Sequence, residues 1–222
     1  MAVTWQLFES AASSYEAWYT TRRGQRAAGA EQALLVRLLA ELPEVRSVLE
    51  VGTGSGHFAA GLAQSGFHVV GLERAPAMVK EARRQPVSLA LVIGDAHQLP
   101  IRAGCVDAVV FVTTLEFLDE PVAALREAVR VARRAVVAIV LNRLSLGGIS
   151  RRWGRQARGP LLGVARDYSL GRLRRELKQA AGTRRGAMRW SSTLFPNGLW
   201  KLGARVPLGD AIGVVAALRA DY

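Results

Sequence analysis

The sequence predicts an α/β fold built around a doubly wound, mostly parallel sheet. Five short apolar segments alternate with segments of helical periodicity, and none of the five shows the apolar–polar alternation of a strand with one solvated face. Uninterrupted apolar runs are typical of strands buried on both faces of a parallel sheet. Such a sheet needs helices on both sides, which makes the expected fold Rossmann-like. The strands are predicted at residues 47–51, 68–73, 89–94, 106–112 and 135–141.

The segments between the strands fit this arrangement. Residues 27–42 carry leucines at helical spacing and form an entry helix before the first strand. Further helices are predicted at 57–65, 75–85 and 119–134, and Pro121 suits the first turn of the last one. The connection between the third and fourth strands is short and contains a proline, so we expect a loop there.

The remainder of the chain completes the sheet. A helix is predicted at 169–181, and strand candidates at 187–195 and 211–219 predict a closing antiparallel hairpin, which gives seven strands in all. The chain is long enough for one domain with a sizeable core. We divide that domain into an N-terminal helical cap, a ligand-binding core, a basic insertion with its helix, and the closing strands, at residues 1–46, 47–141, 142–185 and 186–222.

Composition excludes several classes of protein. Cys105 is the only cysteine and the three histidines are scattered, so no disulfide and no metal site is expected. No apolar run approaches the roughly 18 residues that span a bilayer, and the first residues lack the features of a secretory signal. We therefore expect a cytoplasmic protein.

The net charge of +12 is concentrated in one part of the chain. Between Arg143 and Arg189 there are 13 Arg or Lys residues, against only Asp167 and Glu176. This segment is either a solvated surface or a face that binds an anion. The sequence contains no recognisable RNA-binding module, so nucleic acid stays an alternative based on charge alone.

A glycine-rich turn follows the first strand, with the sequence EVGTGSG at 50–56. A dinucleotide-binding turn of the G-x-G-x-x-G type would need glycine at position 57, where this chain has His57. Glu50 would repel a pyrophosphate but would attract a cation. S-adenosylmethionine carries an ammonium and a sulfonium group and no phosphate, so this turn favours it over a dinucleotide.

Acidic residues also end the next two strands. Glu73 closes the second strand, where a carboxylate can accept hydrogen bonds from both hydroxyls of a ribose. Asp95 and Ala96 follow the third strand, where an adenine amino group could be recognised. Because ligands of open parallel sheets bind outside the carboxyl ends of the strands, Glu50, Glu73 and Asp95 are predicted to converge on one crevice.

These segments together resemble the class I S-adenosylmethionine-dependent methyltransferases of the UbiE-like, methyltransferase type 11 family. The resemblance covers residues 47–141 and rests on VLEVGTGSGHFAAGLAQSG, VVGLERAPAMVKEAR, VIGDAHQLPIRAGCVDAVVFVTTLEFLDEP and AALREAVRVARRAVVAIV. The family usually has a Pro-Gly-Gly turn where this chain has Arg133-Arg134-Ala135, which leaves the local turn open. The upstream Tyr15, Trp18 and Tyr19 resemble the aromatic segment that folds over the pocket in that family.

The resemblance implies S-adenosylmethionine as cofactor, S-adenosylhomocysteine as product, and a set of cofactor-binding residues. The turn would hold the methionine part, Glu73 the ribose and Asp95 with Ala96 the adenine; Arg74 and Met78 would be walls, and Thr113 would lie between cofactor and acceptor. The residues of the turn are Glu50, Gly52, Thr53, Gly54 and Gly56.

The acceptor is expected to be a small molecule, and the insertion from Asn142 to Arg166 is the candidate for recognising it. Glu116, just beyond the fourth strand, is the carboxylate closest to the expected acceptor position and therefore the candidate general base. The alternatives are an RNA or protein methyltransferase that uses the arginine-rich segment 143–189, and a non-catalytic protein that only binds the cofactor. A nucleotide-dependent oxidoreductase is disfavoured by His57 and Glu50.

Overall fold

The computed structural model describes residues 4–42, 44–142, 163–166, 168–193 and 211–218. Within them the chain forms a seven-stranded mixed sheet with helices on both faces, as the sequence predicts. The strands are β1 (Ser47–Val51), β2 (His68–Glu73), β3 (Ala90–Ile93), β4 (Val106–Val112), β5 (Ala132–Leu141), β6 (Arg185–Thr193) and β7 (Ala211–Leu218). The helices are α1 (Thr4–Thr20), α2 (Arg22–Ala40), α3 (His57–Gln64), α4 (Pro76–Ala82), α5 (Pro121–Val131) and α6 (Leu170–Ala181).

The strand order β3-β2-β1-β4-β5-β7-β6 places the first strand in the interior of the sheet. The chain builds outward from β1 through β2 to β3, and then returns to the other side of β1 to form β4 and β5. This reversal opens a crevice at the carboxyl ends of β1 and β4, where ligands of such sheets bind. Strands β6 and β7 pair antiparallel with each other, and β7 pairs antiparallel with β5, which confirms the predicted hairpin.

The two faces of the sheet carry separate apolar layers. Val48 and Val137 pack on the side covered by α2 and α3, where Leu35 and Leu38 of α2 are buried. Neighbouring strand residues, such as Leu49, point to the opposite layer, beneath α5 and α6. Successive side chains of a strand alternate between faces, so strands that are apolar throughout can supply both layers.

The boundary between α5 and β5 differs from the prediction. The helix ends at Val131 instead of at residue 134, and β5 begins at Ala132 instead of at 135. Arg133 is drawn into the strand because its guanidinium bonds the carboxylate of Asp107 on β4 at 2.9 Å. The chain thus passes directly from helix to strand, without an intervening turn.

The N-terminal region contains more helix than the sequence predicted. The entry helix begins at Arg22, five residues before the predicted start, because the Thr21 hydroxyl accepts a hydrogen bond from the Gly24 N–H at 3.0 Å and caps it. A second helix, α1, precedes it. Between β3 and β4 the described chain has no helix, as predicted.

Candidate cofactor site

The glycine-rich turn forms the floor of a cleft at the carboxyl end of β1. Gly52, Gly54 and Gly56 have φ values of 72°, 55° and 79°, a conformation that residues with a side chain rarely adopt. The N–H of Gly52 bonds the Leu72 carbonyl at 2.8 Å, which ties the turn to β2. A side chain at position 52 would collide with Thr114, so glycine is required there. Gly52 and Gly54 line the cleft, whereas Gly56 lies at the start of α3, outside the lining.

Glu73 projects into the cleft at the end of β2. One carboxylate oxygen accepts the Gly54 N–H at 3.0 Å, and the other accepts the N–H groups of Arg74 and Ala75 at 2.8 and 2.9 Å. The side chain is therefore fixed while it faces the space above the turn. Burial raises the pKa of this carboxyl, and the three N–H groups oppose that rise.

Asp95 lies at the end of β3 in a network with Arg74 and His97. Arg74 Nη1 is 2.9 Å from one Asp95 oxygen, and His97 Nδ1 is 2.7 Å from the other. Burial alone would raise the pKa of Asp95, but the backbone N–H and the ring of His97, together with Arg74, hold it below its usual range. The Arg74 guanidinium also lies 5.5 Å from the ring centroid of Trp5 on α1. Asp95, Ala96, Arg74 and His97 all line the cleft.

Thr113 closes the cleft where β4 ends. Its φ of 49° makes it the one residue other than glycine with a left-handed backbone in the described chain, an unusual conformation for a β-branched residue. The Thr113 N–H bonds Ile139 O at 2.8 Å, and the neighbouring Thr114 hydroxyl bonds Val51 O at 3.1 Å. Strained backbone of this kind is concentrated at functional sites.

Helix α1 covers the cleft with aromatic side chains. Trp5, Phe8 and Tyr15 line it, and the Phe8 ring meets the Phe117 ring edge to face at 4.9 Å. Glu9 fastens the helix to the core, because its carboxylate accepts the Ala77 N–H at 2.9 Å. Sequence reasoning identified Tyr15 but missed Trp5 and Phe8. Trp5 and Phe8 are three residues apart and therefore lie on the same face of a helix, and this spacing could have identified them from the sequence.

Two predicted residues of the turn lie beneath it instead of in the lining. Glu50 is 1% exposed, and its carboxylate accepts the Thr53 hydroxyl at 2.6 Å and the Ala59 N–H. Burial raises the pKa of Glu50 to about 8; the two hydrogen bonds oppose the rise and the negative charge of Glu73 adds to it. Thr53 is buried and holds Glu50 in place.

Two other predicted residues also lie outside the lining. Met78 is fully buried against Ala12 and Ala75, where it supports α1 from below. Glu116 is buried in a short 3₁₀ turn, Leu115–Phe117. Its carboxylate accepts the Leu141 N–H at 2.6 Å, and its carbonyl accepts the Arg166 N–H at 2.8 Å. A role for Glu116 as general base stays a prediction.

Much of the arginine-rich insertion lies outside the described residues, including the predicted recognition residues 143–162. Its return to the core is described. Asn142 forms a parallel bridge with the buried Tyr168, and the Tyr168 hydroxyl donates to Glu176 of α6 at 2.8 Å. The segment thus leaves and rejoins the core beside the cleft-lining residues Phe117 and Leu118.

The cleft contains about 800 Å³ of space not filled by protein atoms, open solvent included, and its charged lining is acidic. The described lining contains three acids, Glu73, Asp95 and Asp119. Apart from His97, its only basic residue is Arg74, which is already paired with Asp95. A pyrophosphate would find no available cation among the described lining residues, whereas a cationic nucleoside would be attracted. No group of three or more His, Cys, Asp or Glu in the described chain could hold a metal ion, and no described helix is both long and apolar enough to cross a membrane.

Known methyltransferases are similar in sequence to the core of this chain. Residues 49–140 match the methyltransferase domain of the type 11 family. The demethylmenaquinone methyltransferase of Beutenbergia cavernae is 40% identical over 94 residues, which cover 41% of this chain and 39% of that protein. The malonyl-[acyl-carrier protein] O-methyltransferase of Pectobacterium atrosepticum is 33% identical over 123 residues, covering 54% and 49%. The matched region therefore spans less than half of the length of either relative.

Solved structures share the whole fold. An S-adenosylmethionine-dependent methyltransferase from Thermotoga maritima superposes with a TM-score of 0.78 at 24% identity, over 96% of this chain and 99% of that one. The magnesium protoporphyrin IX methyltransferase of Synechocystis, solved with bound S-adenosylhomocysteine, gives a TM-score of 0.63 at 18% identity, over 93% of both chains. Residues 49–140 are thus similar to the methyltransferase domain of the type 11 family, and the chain as a whole has the fold of these solved methyltransferases.

Proposed function

We propose that the protein binds S-adenosylmethionine in this cleft and transfers its methyl group to a small-molecule acceptor. The observation that carries the proposal is the convergence of Gly52, Gly54, Glu73, Asp95 and Thr113 on one acidic cleft at the switch point of the sheet. A dinucleotide-dependent oxidoreductase is not favoured, because the described lining offers no free cation to a phosphate.

Each part of the cofactor would lie at the carboxyl end of a different strand. Its methionine part would lie over Gly52 and Gly54, and its ribose hydroxyls would donate to Glu73. Its adenine would lie between Ala96 and the Arg74–Asp95 pair. Four of the predicted binding residues would support these groups from below without lining the cleft: Glu50, Thr53, Gly56 and Met78.

The bound sulfonium supplies the reactivity, so the protein contributes mainly by alignment and by excluding water. Alignment of two reactants contributes at most about 7–11 kcal/mol. Thr113, fixed by its backbone bond to Ile139, borders the side that an acceptor would approach. The rings of Trp5, Phe8 and Phe117 would keep water from the sulfonium.

Titration calorimetry tests cofactor binding. We expect S-adenosylmethionine and S-adenosylhomocysteine to bind and NAD not to bind. Glu73→Gln removes a charged acceptor of the ribose hydroxyls and should weaken both ligands about 10- to 100-fold, as expected from about 1.5–3 kcal/mol for a hydrogen bond to a charged group. Glu120→Gln, at an exposed position outside the lining, is the matched control. Binding of NAD alone would refute the proposal.

Transfer of a radioactive methyl group to a panel of acceptors separates an enzyme from a binding protein. The panel should contain small-molecule alcohols, phenols and amines as well as RNA and protein. We expect label on a small molecule. Label on RNA that falls steeply with salt would instead identify the acceptor as nucleic acid, and cofactor binding without transfer to any acceptor would contradict the enzymatic part of the proposal.

A further inference from the structure

Two buried carboxylates lie at the floor of the cleft without a cation. Glu50 and Glu73 end on neighbouring strands and are 1% and 9% exposed. All their hydrogen bonds come from neutral donors, namely the Thr53 hydroxyl and backbone N–H groups. Among the described residues, no Arg, Lys or His lies within ion-pair distance of either carboxylate. The cation closest along the chain, Arg74, directs its guanidinium to Asp95.

An unpaired carboxylate that is buried in this way favours its protonated form. Burial raises the pKa of Glu50 to about 8, which favours its protonated form at pH 7. The pKa of Glu73 is also raised, mainly by burial, although three backbone N–H groups counteract the rise. Glu50, with fewer donors and less exposure, is the carboxyl that holds the proton.

The groups that surround these two carboxyls do not supply a positive charge. Burial lowers the pKa of His57 at the start of α3, which keeps its ring neutral near pH 7. Burial also raises the pKa of Tyr15 and Tyr19 on α1, so both hydroxyls stay neutral. The charge of Glu9 on α1 acts on Glu73 itself and raises its pKa further. Glu16 on α1 and Glu31 on α2 are acids whose charges act on Tyr15 and Tyr19. The charges around Glu50 and Glu73 therefore favour binding of a cation that is not part of the described chain.

We propose that Glu50 makes the site selective for ligands with an ammonium group and releases its proton when such a ligand binds. The inference rests on the proposed function, because it assumes that the methionine end of the cofactor lies over Gly52 and Gly54. In the bound state the ammonium keeps its own proton, and the proton of Glu50 passes to the buffer. Glu50 is a positioning residue in this scheme, since it acts through the turn above it.

Calorimetry with S-adenosylhomocysteine measures the released proton directly. Titrations at pH 6.5, where an α-amino group stays protonated, are run in three buffers with different ionisation enthalpies. The slope of observed enthalpy against ionisation enthalpy gives the number of protons released. We expect a value close to one for the unaltered protein, and affinity that rises between pH 5.5 and pH 7. Adenosine, which has the nucleoside but no ammonium group, should bind without release of a proton.

Glu50→Gln separates the electrostatic role from a structural one. The amide oxygen of the substituted side chain can still accept the Thr53 hydroxyl, but the amide cannot ionise. We expect proton release to disappear, affinity for S-adenosylhomocysteine to become flat over this pH range, and affinity for adenosine to stay within about twofold, a shift of at most about 0.4 kcal/mol. A purely structural role would weaken both ligands and leave the pH dependence intact.

Three results would overturn the inference: equal proton release with adenosine and S-adenosylhomocysteine, release that persists in Glu50→Gln, or release that disappears only in Glu73→Gln. The comparison of the two ligands needs no variant, so equal release with both would overturn the inference even if Glu50→Gln does not fold. Failure of the proposed function looks different, since neither S-adenosylmethionine nor S-adenosylhomocysteine would then give a heat of binding.

Discussion

Two buried carboxyl groups at opposite ends of this sheet, Asp107 and Glu50, have pKa values shifted in opposite directions. Asp107, at the amino end of β4, accepts hydrogen bonds from the backbone N–H groups of Arg46 and Ser47, from the Ser47 hydroxyl and from Arg133. These donors hold the pKa of Asp107 well below its usual range despite its burial. At the carboxyl end, Glu50 has few donors and its pKa is raised. The acid with abundant donors fastens the strands, and the acid with few donors lies under the cleft.

Asp107→Asn should therefore destabilise the fold. Loss of the charged acceptor should lower the free energy of unfolding by about 1–3 kcal/mol at pH 7. A carboxyl with a lowered pKa stabilises the folded state above its unfolded pKa of about 3.9, and this contribution falls as pH drops toward the folded pKa. Urea denaturation should show a difference between the variant and the original protein that shrinks between pH 5 and pH 3. A difference that is constant over this range would argue against an ionised Asp107.

The predicted site residues that line the cleft are those whose position follows from the strands. Glu73, Asp95 and Thr113 directly follow apolar runs, so the parallel sheet determines where they lie. Glu50 and Met78 were expected in the lining and lie below it, because the depth of a side chain depends on the packing of α1 and α3. That packing could not be predicted from the sequence alone.

At the scale of elements, the short 3₁₀ turn after β4 links three parts of the chain. The Glu116 carboxylate holds the end of β5 through Leu141, and the Glu116 carbonyl holds the returning chain through Arg166. Phe117, the next residue, lines the cleft and meets Phe8 of α1. The turn therefore couples the wall of the cleft to both ends of the insertion.

A pair of substitutions at Glu116 distinguishes anchoring from proton transfer. Glu116→Gln keeps an acceptor for the Leu141 N–H, so it should preserve the protection of the Leu141 amide from hydrogen exchange, whereas Glu116→Ala should reduce that protection by at least tenfold. If Glu116 is the general base, Glu116→Gln should also abolish methyl transfer while the amide remains protected. Loss of protection in both variants would show that the carboxylate charge, and not the hydrogen bond alone, holds β5.

The boundaries of elements were predicted less well than their existence. A helical cap was predicted at residues 1–46 but without bounds for α1, because serines and glutamates interrupt its apolar face and much of that face packs on a cleft instead of a core. The start of β5 was misplaced because Arg133 and Arg134 suggested a solvated helix end. Only the position of Asp107 across the sheet explains why Arg133 lies in a strand.

At the scale of the whole molecule, a helix from the N-terminal part of the chain packs on the two C-terminal strands. Helix α2 lies against β6 and β7, and Arg37 of α2 donates to the Ser191 hydroxyl at 2.7 Å. Gly213 on β7 makes this close approach feasible, since a Cβ there would lie 2.5 Å from a Leu38 methyl carbon. Folding thus requires contacts between residues that are far apart in sequence, which slows the search for the native state.

Gly213→Ala should weaken this closure. Both Leu38 and Leu34 are buried and have little room to move, so overpacking should lower the free energy of unfolding by about 1–3 kcal/mol. Gly171→Ala in α6 is the matched control, because its added methyl would meet no other atom within 4 Å. Alanine there should stabilise the helix by up to about 1 kcal/mol. Equal effects of the two substitutions on thermal denaturation would refute the steric explanation.

The bridge between Asn142 and Tyr168 has an evolutionary consequence. The chain departs from the sheet and comes back at adjacent points, where Glu116 holds Leu141 and Glu176 holds Tyr168. Lengthening a connection whose ends are already fixed costs only about 0.6 kcal/mol per doubling. Natural selection could therefore exchange the residues between these two points for a shorter or longer sequence while the cleft itself is inherited unchanged.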